Sequence, residues 1–157
     1  MNDLFLARIL HMLAVVVWLG GVFMATAVIL PAIRKNLFGS DKLASLHVVE
    51  YRFSWIARIA ILIVGASGFY MTWKMQLWAR FHNWHFWWMD AMVGVWAIFI
   101  FLLFIGEPVV LRRFFPRLVA ANEDRAFAVL HWVHVTVLAL ALITVAGAVA
   151  GAHGWNG

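Results

Sequence analysis

From Ile9 to Ile33 the chain carries no Asp, Glu, Lys or Arg. A helix needs roughly 20 mainly apolar residues to cross a hydrocarbon core of about 30 Å, so this run predicts a membrane span. Three more candidates follow. The first, at about 53–73, contains Arg58. The next, at about 85–105, has Asp90 near its start and Glu107-Pro108 at its close. The last, at about 129–152, opens with His131 and His134 and ends in a Gly/Ala-rich stretch whose small residues permit close helix packing. With 66% hydrophobic and 12% charged residues, the chain has more apolar surface than one small core could hide. The expected fold is all-α, an integral membrane four-helix bundle forming a single domain over 1–157, with a helical extension of the second span back to Leu43. The first run exceeds the roughly 7–15 residues of a signal-peptide apolar region, so the expectation is a retained span.

The distribution of charge suggests an orientation. Arg34, Lys35, Lys42 and Arg52 follow the first span, and Arg112, Arg113, Arg117 and Arg125 follow the third, whereas the opposite side has Arg8, Lys74 and Arg80. The positive-inside rule then puts both termini on the non-cytoplasmic side of a membrane, with a bacterial inner membrane the expected setting. It also explains the net charge of +5 without nucleic acid. Trp73, Trp78, Trp84, Trp87 and Trp88 crowd the external ends of spans two and three, as expected of amphipathic rings at an interface. The chain has no cysteine, which excludes disulfides, thiolate metal sites and iron–sulfur clusters and leaves His and Met as soft ligands.

A short internal repeat suggests two duplicated helical hairpins. Pro31-Ala32-Ile33-Arg34-Lys35 closes the first span and Pro108-Val109-Val110-Leu111-Arg112-Arg113 the third. Each is followed by an acid-base pair, Asp41-Lys42 or Asp124-Arg125, and then by Leu46-His47 or Leu130-His131. Under this alignment histidines pair across a pseudo-two-fold axis.

Histidine is costly in hydrocarbon unless its nitrogens are engaged. His11, His82 and His85 fall at external helix ends, and His47, His131 and His134 at cytoplasmic ones. Haem iron takes two axial imidazoles from facing helices of a bundle, which makes His11 with His85 the expected external pair. A second haem on His47 and His131 or His134 would complete a path across the bilayer. The plain structural alternative is interfacial wetting or interhelical hydrogen bonding. His131 and His134, three residues apart, share a helix face. Arg58 needs an acceptor within the lipid: a haem propionate, a quinone oxygen or a carboxylate. Arg52 is a further candidate for propionates, and Asp90 expects Arg80 or a histidine as partner. A competing set of His11, His82, His85, Met12 and Met89 suits Cu(I), although methionine is also ordinary helix filler.

Leu10-His11-Met12-Leu13-Ala14-Val15-Val16-Val17-Trp18-Leu19-Gly20-Gly21, with Arg52-Phe53-Ser54-Trp55-Ile56-Ala57-Arg58 and Gly68-Phe69-Tyr70-Met71-Thr72-Trp73, resembles the copper-resistance D (CopD-type) membrane domain over essentially all four spans. The first span also resembles the HemJ-type protoporphyrinogen oxidases, which are haem-associated. The first resemblance implies copper uptake, and related four-helix proteins bind haem b and pass electrons; His11 is the residue that matches a motif histidine. The HemJ-like pattern also expects a lysine in the third span, and none lies between His85 and Ile105, which speaks against the oxidase activity.

The expected function is a b-type cytochrome carrying one haem b or two and exchanging electrons with quinone or a redox partner protein, as a relay or a quinone-linked oxidoreductase. The alternatives are copper handling by the external His/Met cluster and an anchor subunit of a larger respiratory complex. Copper transport would need a continuous ligand ladder, and beyond Met12 the first span offers only Met24 in its middle.

Overall fold

The computed structural model describes residues 2–154. Four helices are long and apolar enough to cross a membrane: α1 (Asp3–Arg34), α2 (Lys42–Lys74), α3 (Trp84–Ala121) and α4 (Glu123–Ala152). No strand occurs among the described residues. The protein is therefore an all-α membrane four-helix bundle. α1 packs along α2, and residues 87–101 of α3 pack against α4. The end bearing residues 2 and 154 is the upper end below, and the arginine-rich end the lower.

Local chemistry sets the helix starts. The Asp41 carboxylate accepts the Ala44 N–H at 2.9 Å, and the Asn122 side-chain oxygen accepts the Arg125 N–H at 2.9 Å. Each satisfies one amide that a helix start leaves orphaned. α2 begins at Lys42, as the expected extension of the second span requires. At its other end Gln76 takes a left-handed conformation (φ 55°), which turns the chain into two short 3₁₀ segments before α3.

Pro108 does not end the third helix, contrary to the sequence expectation. α3 continues to Ala121 through a run of wide turns, Leu102–Phe114, in which hydrogen bonds reach five residues along. A shorter stretch of the same kind, Ala25–Ile29, precedes Pro31, and α1 then runs on to Arg34. Proline has no N–H and crowds the carbonyl four residues back. Those carbonyls belong to Ala27 and Phe104, both inside the wide stretches, so the helix expands around the proline where sequence logic stops it.

In lipid the apolar face of a helix gains little by leaving the tails, and association depends on close packing. Large side chains such as Leu13 and Val16 accordingly face outward, while Ala14, Trp18, Ile61, Val64 and Phe99 build a central core. A second cluster ties all four helices at the lower end: Leu30 and Ile33 of α1, Leu46 of α2, Phe115 of α3 and Phe127 of α4. Beside it the Lys42 ammonium, 7% exposed, joins α2 to α4 through Glu123 (2.9 Å) and Asp124 (3.0 Å). At the upper end Asp3 accepts from the Tyr70 hydroxyl at 2.8 Å and pairs with Lys74 at 3.2 Å.

One close approach decides how α2 meets α3. The Trp96 indole lies flat enough on Gly65 that a Cβ there would fall 2.7 Å from three of its atoms, while Trp96 Nε1–H donates to Ile61 O at 2.9 Å. The ring is held by that bond and cannot simply swing aside. Gly65→Ala should destabilise the protein by about 1–3 kcal/mol through overpacking. Thermal unfolding in detergent measures this, and an unchanged melting temperature would mean the contact is looser than described.

Candidate functional site

Two cavities open inside the bundle, one toward each end, with Trp18 on the wall of both. The upper one, about 330 Å³, is lined by residues of all four helices, among them His11, Gly68, Met89, Trp96 and Thr144, with Arg80 contributed by the α2–α3 connection. The lower one is about 560 Å³. Both fall within the size range of small-molecule sites, which are typically apolar with a few placed polar groups.

His11 is the organised polar group of the upper cavity. Its Nδ1 lies 3.1 Å from the Val64 carbonyl oxygen and 3.0 Å from Ser67 Oγ. A carbonyl can only accept, so Nδ1 carries the proton, and Ser67 Oγ, whose own hydroxyl donates to Ile63 O, can accept it too. That assignment leaves Nε2 as the lone-pair nitrogen, and it has no hydrogen-bond partner among the described residues. Ligating histidines are held this way, with the other ring N–H given to a carbonyl. Gly68 makes room for the ring: a Cβ there would approach Cε1 to 3.3 Å.

Of the other ligands proposed for this end, Met89 lines the wall and His85, His82 and Met12 do not. His85 sits in a 3₁₀ turn, exposed, with its ring edge against Phe86 at 5.3 Å and its backbone N–H on Asn83. His82 is exposed, and Met12 is 55% exposed. The thioethers that do line the cavity are Met71 and Met75 from α2 and its end, and Met89 and Met92 from α3. Among the described residues no group of three His, Asp or Glu converges as a metal site. Arg80 lies over the Phe86 ring at 4.7 Å while lining the cavity, and Asp90 is exposed with no ion pair among the described residues.

At the lower end His47 and Arg52 are exposed. His134 lines the lower cavity with its Nδ1–H on Leu130 O at 2.9 Å, whereas His131, one turn earlier, is not on that wall and keeps a buried Nδ1 without a partner. Among the described residues no second histidine lines that cavity.

Arg58 finds its acceptor in the protein. Its Nε and Nη2 donate to Leu103 O at 3.1 and 2.9 Å, and Nη2 pairs with Glu107 Oε1 at 3.2 Å. Trp55 and Phe104 flank the guanidinium, each 5.6 Å away. Glu107, 5% exposed, also accepts from Ser54 Oγ–H and from Arg112 at 3.2 Å. Glu50, one turn before Ser54 on α2, lies against Glu107. Sequence reasoning missed Glu50, Ser54 and Glu107. The available signal was a lone base at mid-span in one helix and a lone acid at the close of the next run, which invites a pair.

Comparison with protein-family models, curated proteins and solved structures finds no significant match to this chain. The functional reading therefore stands on the geometry above.

Proposed function

We propose that this is a membrane b-type haem protein that holds haem in the upper cavity on His11 and exchanges electrons with quinone or a redox partner. One observation carries the reading: the imidazole is fixed by its Nδ1–H to a buried carbonyl, leaving Nε2 available on the wall of an aromatic-lined cavity. The residues fit the group. His11 offers the axial nitrogen, a thioether of Met71, Met89 or Met92 replaces His85 as the second soft donor, and Arg80 offers a cation for propionate oxygens. Haem supplies one-electron chemistry when bound. The chain's own part is to orient the ring through Val64 and Ser67 and to keep water away with apolar walls.

Charge distribution supports the placement of both termini on the non-cytoplasmic side of a bacterial inner membrane. The four thioethers beside His11 favour a second reading, Cu(I) handling at the same cavity. In that case His11 and Met89 of the copper set remain, without His82, His85 and Met12.

A dithionite-reduced minus oxidised spectrum of the purified protein, with a pyridine-haemochrome count and copper analysis on the same sample, separates the two. The expected result is stoichiometric haem with sharp reduced bands, lost in His11→Ala and kept in His85→Ala. Loss of haem in His85→Ala would restore the bis-histidine pair, and copper without haem would favour the second reading.

A further inference from the structure

The lower cavity differs from the upper in shape and in chemistry. Val110 and Leu118 of α3 and Val129 and Val133 of α4 line it and are each about half exposed, between 45% and 57%. A residue that is both cavity wall and outer surface stands at a mouth, so the cavity opens sideways between α3 and α4. The wide turns over Leu102–Phe114 coincide with this gap, since α3 meets α4 through residues 87–101 above it. An entrance bordered by valine and leucine at the flank of a membrane bundle admits molecules from lipid.

Inside, among the described residues, the acceptor Glu50 Oε1 and the indole donor Trp18 Nε1–H are buried without a hydrogen-bond donor or acceptor to match, both on residues that line this cavity. Buried polar groups are normally paired. The rest of the wall is mostly apolar, with Asn122, Arg125 and His134 as further polar members, and it includes Phe53 and Phe99, with Phe99 meeting Trp18 edge to face at 4.7 Å. An acyl chain has no donor for such an acceptor. A ring bearing a hydroxyl can supply the donor that Glu50 Oε1 lacks.

We propose that the lower cavity binds a lipid-borne quinol-class ring, entering between α3 and α4 and donating a hydroxyl hydrogen bond to Glu50. Glu107 is already occupied by Ser54, Arg58 and Arg112, so Glu50, which lies against it, is the carboxyl group left for the ring. The choice of the quinol class rests on the redox reading above; the site itself lies in a different cavity from His11.

The test uses the protein in phosphatidylcholine nanodiscs, with decylubiquinol as ligand and an azido-substituted quinone as photolabel. The expected result is saturable binding, with label on segments 99–118 and 129–137. Glu50→Leu should weaken binding at least tenfold, Val133→Trp should block the mouth with a similar loss, and His11→Ala should bind as the wild type does. Because Val133 is half exposed, its variant keeps the fold intact if Glu50→Leu does not. Label confined to 64–75 and 88–96, or unchanged affinity in both variants, would overturn the assignment. So would displacement of the ligand by phosphatidylglycerol at equal potency, which would make the cavity a phospholipid site. Protein that lacks haem yet binds decylubiquinol through Glu50 would overturn the haem reading and leave this site standing.

Discussion

Arg58→Met is expected to destabilise the bundle by about 3 kcal/mol or more, and the double replacement Arg58→Met/Glu107→Met to recover most of the loss. The two changes strand different groups. Removing the guanidinium leaves a 5%-exposed carboxylate with Ser54 and the half-exposed Arg112 as its remaining partners, and removes the donors that served Leu103 O. Breaking a buried pair from one side costs about 3–5 kcal/mol, because the survivor keeps its desolvation penalty. Replacing both sides removes the penalty along with the attraction, and apolar residues of similar volume in such a place are often neutral or better. Denaturant unfolding in mild detergent, followed by circular dichroism, gives both numbers. A single variant as stable as wild type, or a double no better than the single, would show that water reaches Glu107 and relieves it.

Phe127→Ala should cost about 3–5 kcal/mol, the range for emptying a large aromatic site in a packed core. Phe127 is fully buried, meets Phe115 edge to face at 5.4 Å, and joins the cluster in which α1, α2, α3 and α4 all take part. Phe101, 56% exposed on the outer face of α3, is the internal control. Truncating it should change stability by about 0.5 kcal/mol or less, since surface substitutions rarely exceed that and lipid tails replace what it touched. Equal losses in the two variants would mean that side-chain size, not interhelical packing, sets the stability of this bundle.

The parts of this structure legible in the sequence are those governed by local physics. Uncharged runs marked the spans, and the extension of α2 below the second span followed from a helical pattern that begins at Leu43. Arg58 announced that it needed a partner inside the bundle, and a carboxylate was among the acceptors expected. What local reasoning could not supply was the three-dimensional register. His11 and His85 lie at the same end, but the left-handed Gln76 and the 3₁₀ turns after it carry His85 out to the surface. Pro108 reads as a stop because sequence rules treat the α-helix as the only helix, and the wide turns that absorb it depend on packing around α3. Glu50 carries no local signal of a role, and only the approach of α2 to α3 sets it beside Glu107.

The ion pair between α2 and α3 also bears on how the chain enters its membrane. Arg58 lies midway along α2, and Glu107 lies in the lower half of α3. Entering alone, each segment would carry an uncompensated charge into lipid, at about 2.5–3.5 kcal/mol for a charged residue near a helix centre on insertion-based scales. Only the connection from Met75 to Asn83 separates the two helices, short enough for both to be held at the insertion machinery together. The second and third helices are thus built to leave it as a hairpin, with their charges already joined.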